Sequence, residues 1–206
     1  MRENKIPFGE REGTLFRAHE VENGLRCSCI CPGCRQPLNA ANNGEKVTPH
    51  FRHAQSNDCT TGFREGVRRA AVAQIAQHKR LLLPAFLDMA RITTASGRIL
   101  EEKVELPPVI ATGDSVQRFV ELDGLRDHAA LYLSGRQLIV RIKMSSRMEH
   151  ERYRQLQALE HSSMEIDLHH LTLEQINNAD SFMHAVLQDP SNRSWIRCLR
   201  GESLKP

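Results

Sequence analysis

The chain has 206 residues, of which 40% are hydrophobic, 5% aromatic and 26% charged, with a formal net charge of +3. This length suits a small module followed by a domain, or one sizeable domain. No apolar run approaches the roughly 18 residues of a membrane span, and the first residues lack a signal peptide's apolar centre. We therefore expect a cytoplasmic globular protein without a membrane partner. The net charge alone does not indicate nucleic-acid binding, because capture depends on charge distribution.

Most of the cysteines lie close together near the amino terminus. Five of the six, Cys27, Cys29, Cys31, Cys34 and Cys59, fall in the first third of the chain. In a cytoplasmic chain such crowding favours metal binding over disulfides. Cys31 and Cys34 form the sequence CPGC, in which two cysteines can hold one zinc ion from a tight turn that Pro and Gly favour.

A second ligand pair is expected after a hairpin. The sequence HFRH contains His50 and His53, and Cys59 follows. We predict His53 and Cys59 as the returning ligands, because the turn-forming segment NAANNG predicts the hairpin that brings them back. His50 is the alternative to His53, since the two histidines point to different sides of an extended segment. A site closed by Cys31, Cys34, His53 and Cys59 is structural, because a catalytic zinc keeps one position open.

Two alternatives to this single zinc site stay open. In the first alternative, the cysteines are buried free thiols that behave as small hydrophobes. In the second, Cys27 and Cys29 bind a further zinc ion; we interpret them instead as strand residues because they alternate. The zinc site is expected to stabilise the amino-terminal segment, since metal binding there is folding energy.

The middle of the chain changes to helical spacing. Apolar residues from Gly62 onward predict a helix that Pro84 ends. The cations of this helix, among them Arg68 and Arg69, are candidates for contact with nucleic-acid phosphates if they share a face. The alternative is an ordinary solvated helix face.

Strands and helices follow in a mixed order. Four segments between Arg98 and Lys143 read as strands, with SGRQ as the hairpin turn between the last two. RMEHERYRQLQALE is predicted as a helix and SMEIDL as a strand. Thr172 and Gln175 form a capping box before a final helix that Pro190 stops. This order predicts an α/β or α+β fold in which helices pack against a sheet.

The motifs together resemble a known family. They are similar to the CoiA-like competence-protein family. The features that carry this resemblance are CPGC, HFRH, Cys59, the helix before LLLP, the strands, MEIDL and Trp195. The resemblance implies a zinc-finger or ribbon module at residues 1–61 and a PD-(D/E)XK nuclease-like domain at 62–206. It further implies a restriction-endonuclease-like mixed sheet flanked by helices, DNA or RNA as a partner, and a role in DNA processing, competence or defence.

The nuclease motif that the resemblance implies is incomplete. In such nucleases an Asp on one strand and a Glu on the next hold magnesium or manganese, and a Lys two residues later assists the attacking water. The Asp position here is His128 and the Glu position is Arg141, so Lys143 alone matches. Arginine is a permanent cation that repels a metal ion. Asp127 would reach the site only through a bulge, and Glu121 is a further candidate.

These residues leave three functions open. The first is a nucleic-acid-binding protein with an inactive nuclease centre, in which Arg141, Lys143 and His128 contact a phosphate. The second is an active magnesium- or manganese-dependent nuclease in which Asp127 or Glu121 replaces the missing acid and Lys143 positions water. The third is a scaffold for a protein partner in a competence, defence or mobile-element complex. Carboxylates at other strand ends, such as Glu165, are interpreted as solvated or paired.

Overall fold

The computed structural model describes residues 5–44, 46–55, 59–122, 125–146 and 150–205, without the side chains of 121, 122 and 125–128. The described strands are β1 (Phe8–Arg11), β2 (Thr14–Arg17), β3 (Leu38–Ala41), β4 (His50–His53), β5 (Arg80–Leu83), β6 (Phe86–Thr93), β7 (Ile99–Leu106), β8 (Val109–Thr112), β9 (Ser115–Leu122), β10 (Leu125–Leu133), β11 (Arg136–Lys143), β12 (Ser162–Asp167) and β13 (Arg193–Arg197). The described α-helices are α1 (Gly62–His78), α2 (His150–Ala158), α3 (Leu173–Asn177), α4 (Ala179–Leu187) and α5 (Leu199–Glu202). This is an α+β protein.

The chain forms two compact units, neither of which is continuous in sequence. The first, called here the amino-terminal unit, contains Met1–Gln74 and His169–His184, and the second, the sheet unit, contains the remainder. This division differs from the predicted boundary between residues 61 and 62. Contacts within the amino-terminal unit explain why: the Phe8 and Phe182 ring centroids lie 5.7 Å apart, and Arg69 of α1 is 2.5 Å from the Glu10 carboxylate.

Two hairpins organise the amino-terminal unit. β1 pairs with β2, and β3 pairs with β4 so that Leu38 lies opposite His53. The second pairing confirms the hairpin predicted from NAANNG. The buried core beneath the hairpins is small and consists of Ile6, Ala18, Cys27, Cys29, Cys31, Leu38, Ala40 and Phe51.

Cys27 and Cys29 are not strand residues, contrary to the sequence-based interpretation. Cys27 ends a 3-10 helix (Leu25–Cys27), and Ser28 between the cysteines has a φ of 51°. A residue in the left-handed region interrupts an extended backbone. The Cys29 thiol donates to the Cys27 carbonyl at 3.3 Å, and burial raises the pKa of Cys29 to about 12. Both thiols are core residues.

Two predicted helices differ from the observed ones. The helix expected to reach Pro84 ends at His78, because Lys79 has a φ of 50° and the following β5 pairs with β8. The final helix is divided into α3 and α4. The capping box of Thr172 and Gln175 is confirmed at α3. The division occurs at Asn178, whose side chain accepts a hydrogen bond from the Ser181 amide at 2.8 Å and so caps a new helix.

A five-stranded mixed sheet forms the centre of the sheet unit, in the order β13-β12-β11-β10-β9. β9, β10 and β11 form an antiparallel meander, and α2 leads to β12, which pairs parallel with β11. Ser134 and Gly135 form the predicted turn between β10 and β11 with φ values of 48° and 78°, as two-residue hairpin turns require. The prediction of a mixed sheet with helices is confirmed.

Candidate functional site

The structure brings together the four predicted zinc ligands. The ligand atoms of Cys31, Cys34, His53 and Cys59 all lie within 4.8 Å of one another. The amide of Arg35 donates to the Cys31 carbonyl at 3.0 Å and closes the CPGC turn. The turn passes so near the following chain that a Cβ at Gly33 would lie 2.5 Å from the Thr61 hydroxyl. The sequence therefore needs glycine at this position.

The distances in this cluster fit a tetrahedral zinc ion. The sulfurs of Cys31 and Cys59 are 3.9 Å apart, and the Cys34 sulfur is 3.3 Å from Nε2 of His53. Zinc–sulfur bonds of about 2.3 Å at tetrahedral angles would separate two sulfurs by about 3.8 Å. Three sulfurs and one imidazole nitrogen are also a usual structural zinc set. The cluster can hold one metal ion with every protein ligand in place.

The predicted choice between the two histidines agrees with these contacts. Nδ1 of His50 lies 2.9 Å from the Thr48 carbonyl, and within the described residues the cluster contains His53 instead. Burial lowers the pKa of His53, which favours the neutral imidazole that a metal ion binds.

The cations of α1 that were candidates for phosphate contact are engaged in ion pairs. Arg68 lies 3.6 Å from Glu65. Arg69 and Arg35 both lie 2.5 Å from the Glu10 carboxylate, which is 5% exposed. Burial opposes the charged form of Glu10, but the hydrogen bonds from Arg35 and Arg69 outweigh it and lower the pKa of this carboxyl. These contacts connect the CPGC turn to β1 and α1.

A second cluster lies at the carboxyl ends of β11 and β12. The parallel register places Arg141 beside Glu165 and Lys143 beside Asp167. Arg141 donates to the Glu165 carboxylate, while Nζ of Lys143 is 2.7 Å from Asp167 and 3.6 Å from Glu165. Arg141 and Lys143 share a face because strand side chains alternate. We call these four residues the ion-pair cluster.

Among the described side chains, the charges of the ion-pair cluster balance. Two cations face two carboxylates, and Arg141 is 5% exposed, so its guanidinium is buried beside Glu165. The hydrogen bond to Asp167 raises the pKa of Lys143 above its ordinary value despite opposing burial. Lys143 therefore carries its charge at neutral pH. This pairing accommodates two cations on β11, whose other residues from Leu138 to Ile142 are buried and apolar.

The remaining candidates are Glu121, Asp127 and His128. Their side chains lie outside the part of the chain that the structure describes. The backbone of β10 is described and pairs His128 with Arg141 on one side and with Val120 on the other. The β9–β10 register shifts on both sides of His128, and a shift of this kind is the backbone irregularity that re-aiming Asp127 requires.

Sequence reasoning did not identify Glu165 and Asp167 as partners of the two cations. The alternation in MEIDL predicts that the two acids share a face. Which strand they lie beside depends on a parallel register across α2, and the sequence carries no local mark of that register.

Comparison of the chain with protein-family models, with curated proteins and with solved structures yields no match. Among the described helices, none is long and apolar enough to cross a membrane.

Proposed function

We propose that this protein binds nucleic acid without cleaving it, on a nuclease-like sheet whose metal centre has been replaced by the ion-pair cluster. The observation that carries the absence of cleavage is the contact between Arg141 and Glu165. The choice of nucleic acid as partner comes from the resemblance to CoiA-like proteins.

Strand order supports the nuclease-like architecture. The chain here forms an antiparallel meander, then a helix, and then β12, which is parallel to the third meander strand, β11. This arrangement is compatible with a restriction-endonuclease-like sheet. Lys143 is the last residue of that third strand, where the resemblance expects the lysine that assists the attacking water. The expected fold would therefore put its catalytic centre at the ion-pair cluster.

Charge balance supports the absence of cleavage. Magnesium and manganese need carboxylate oxygens that are free to coordinate. Each carboxylate of the cluster faces a cation, and the guanidinium of Arg141 does not lose its proton in proteins. A divalent ion entering the cluster would have to displace a buried arginine from its partner, which costs several kcal/mol.

A structural zinc ion is supported by the cluster of Cys31, Cys34, His53 and Cys59. Its four ligands leave no position for substrate. Zinc bound there would fix the turn that ends at Arg35, and Arg35 lies 2.5 Å from Glu10. The metal would thereby supply folding energy to a unit whose apolar core is small.

A cleavage assay with matched variants tests the proposal. End-labelled single-stranded DNA, double-stranded DNA and RNA are incubated with magnesium, with manganese, or with neither, so that the zinc ion is left in place. We expect a retarded, intact band that weakens with salt and that is equal in all three conditions. Metal-dependent cleavage that Lys143→Ala abolishes and Lys103→Ala preserves would overturn it. Lys103 is a suitable control because its side chain is exposed and paired with Glu105.

One observation favours a second function, a nuclease with relocated metal ligands. Glu165 and Asp167 provide two carboxylates beside Lys143, and the register shifts next to His128 give Asp127 a route to the same site. This function requires the two carboxylates to exchange their cations for a metal ion. It predicts magnesium-dependent cleavage that Asp167→Asn abolishes, whereas the first proposal predicts no cleavage by either form.

A further inference from the structure

The sheet unit contains a cavity that the ion-pair cluster does not use. Its volume is about 600 Å³, within the range of roughly 300–1,000 Å³ of small-molecule sites. The lining includes Arg136 and Ser162, which begin β11 and β12. Leu138 and Ser162 are lining residues, and Arg141 and Glu165 of the cluster lie three residues farther along β11 and β12, a distance of about 10 Å. None of the four cluster residues lines the cavity. The cavity is a separate site.

The wall of the cavity is mainly apolar. Leucines and prolines provide much of it, with Trp195 among the lining side chains. The indole nitrogen of Trp195 donates to the Pro84 carbonyl at 2.9 Å, which fixes the ring. A half-buried indole held in this way offers a surface on which a planar ring can stack.

Two arginines are the charged side chains of the cavity lining. Arg136 and Arg200 both line it and both are exposed. Within the described part of the chain neither has a carboxylate partner, and no Asp or Glu is among the lining residues. Ser162, another lining residue, already accepts a hydrogen bond from the Leu199 amide at 3.2 Å. The charged groups of the lining are therefore both cations, and the neutral donors beside them are Ser134, Gln137 and Ser162.

We propose that this cavity binds a nucleotide, with the phosphate on Arg136 and Arg200 and the base against the apolar wall beside Trp195. Guanidinium groups bind phosphate oxygens through paired hydrogen bonds, and a base has the planar apolar faces that the wall accepts. The inference rests on the proposed function only for the choice of a nucleotide over other anions with an apolar body.

Fluorescence of Trp195 provides the test, because it is the single tryptophan of the chain. The full-length protein is titrated with dAMP, deoxyadenosine, inorganic phosphate and octanoate. We expect saturable quenching by dAMP, with deoxyadenosine and phosphate each at least about tenfold weaker, since each lacks one half of the ligand. Arg136→Gln and Arg200→Gln should each weaken dAMP binding by about tenfold.

Arg26→Gln is the matched control, because this side chain is 81% exposed and does not line the cavity. It should bind dAMP as the wild type does. Both cavity arginines are exposed, so the variants are expected to fold, and far-ultraviolet circular dichroism checks this. Equal dAMP affinity in all three variants overturns the inference, as does saturation by octanoate without any binding of dAMP.

The same protein distinguishes this inference from the proposed function. If oligonucleotides are retarded but dAMP does not bind, the cavity assignment fails and the proposed function stands. If dAMP binds but no oligonucleotide is retarded, nucleotide binding in the cavity stands and the proposed function fails.

Discussion

Removing one carboxylate from the ion-pair cluster should destabilise the sheet unit strongly. Glu165→Gln leaves Arg141, which is 5% exposed, without its ionised partner on β12. Breaking a buried ion pair on one side costs about 3–5 kcal/mol, because the remaining desolvated charge loses that compensation. The Glu165 side chain is 14% exposed and Lys143 keeps Asp167 at 2.7 Å. We therefore expect the lower end, about 3 kcal/mol.

Urea denaturation followed by Trp195 emission measures this cost. Trp195 lies on β13 opposite Met164 of β12, so its fluorescence reports on the strand that carries Glu165. A loss of about 3 kcal/mol is a large part of the roughly 5–15 kcal/mol of a typical domain. Glu102→Gln, an exposed change on β7, should cost less than about 0.5 kcal/mol.

A double variant separates charge pairing from packing. Arg141→Met combined with Glu165→Leu removes both charges while retaining apolar volume, and it should recover most of the lost free energy of unfolding. A cost of less than about 1 kcal/mol for Glu165→Gln, the range of a surface pair, would contradict a buried ion pair between Arg141 and Glu165. So would a double variant that is less stable than Glu165→Gln.

Three further outcomes are expected. Cys31→Ser should abolish stoichiometric zinc binding measured by elemental analysis, whereas Cys198→Ser, outside the cluster, should keep it. Arg193→Met should lower the free energy of unfolding in urea by about 3 kcal/mol, because its guanidinium donates to buried carbonyls, including that of Ala185 at 3.1 Å, which the variant leaves unsatisfied. The pKa of Lys143 is raised in the folded protein, so its pairing stabilises the fold fully below the ordinary value of 10.5. This stabilisation is lost as pH rises through the folded-state pKa. The wild type should therefore lose more stability on alkaline titration than Lys143→Met.

A specific result would contradict each of these three predictions. Zinc retained at full stoichiometry by Cys31→Ser would mean that the ligand assignment is wrong. An unchanged urea midpoint for Arg193→Met would mean that water replaces its hydrogen bonds without cost. Parallel alkaline stability curves for wild type and Lys143→Met would mean that the contact with Asp167 contributes no net stability.

The metal cluster was the most predictable part of the molecule because its determinants are local. CPGC fixes a turn by Pro and Gly, and NAANNG fixes the hairpin that returns His53. The capping box at Thr172 and the turn at Ser134 and Gly135 were predictable for the same reason: each depends on residues adjacent in sequence.

The parts that the sequence did not reveal depend on long-range pairing. The leucines before Pro84 continue the helical spacing of α1, yet they form β5 because β8 supplies hydrogen bonds. β6 was missed because Leu87 and Met89 are exposed, so its alternation does not follow the usual apolar-inward rule. The pairing of Arg141 with Glu165 depends on the register of β12 against β11, which tertiary packing decides.

The most direct test of the central claim measures binding and integrity in one sample. A fluorescently labelled oligonucleotide is titrated with wild-type protein in magnesium, anisotropy is recorded at rising salt, and the same sample is then run on a denaturing gel. We expect an anisotropy increase that falls with salt and a full-length oligonucleotide on the gel. Shortened products that require magnesium would contradict the central claim, and so would unchanged anisotropy at low salt.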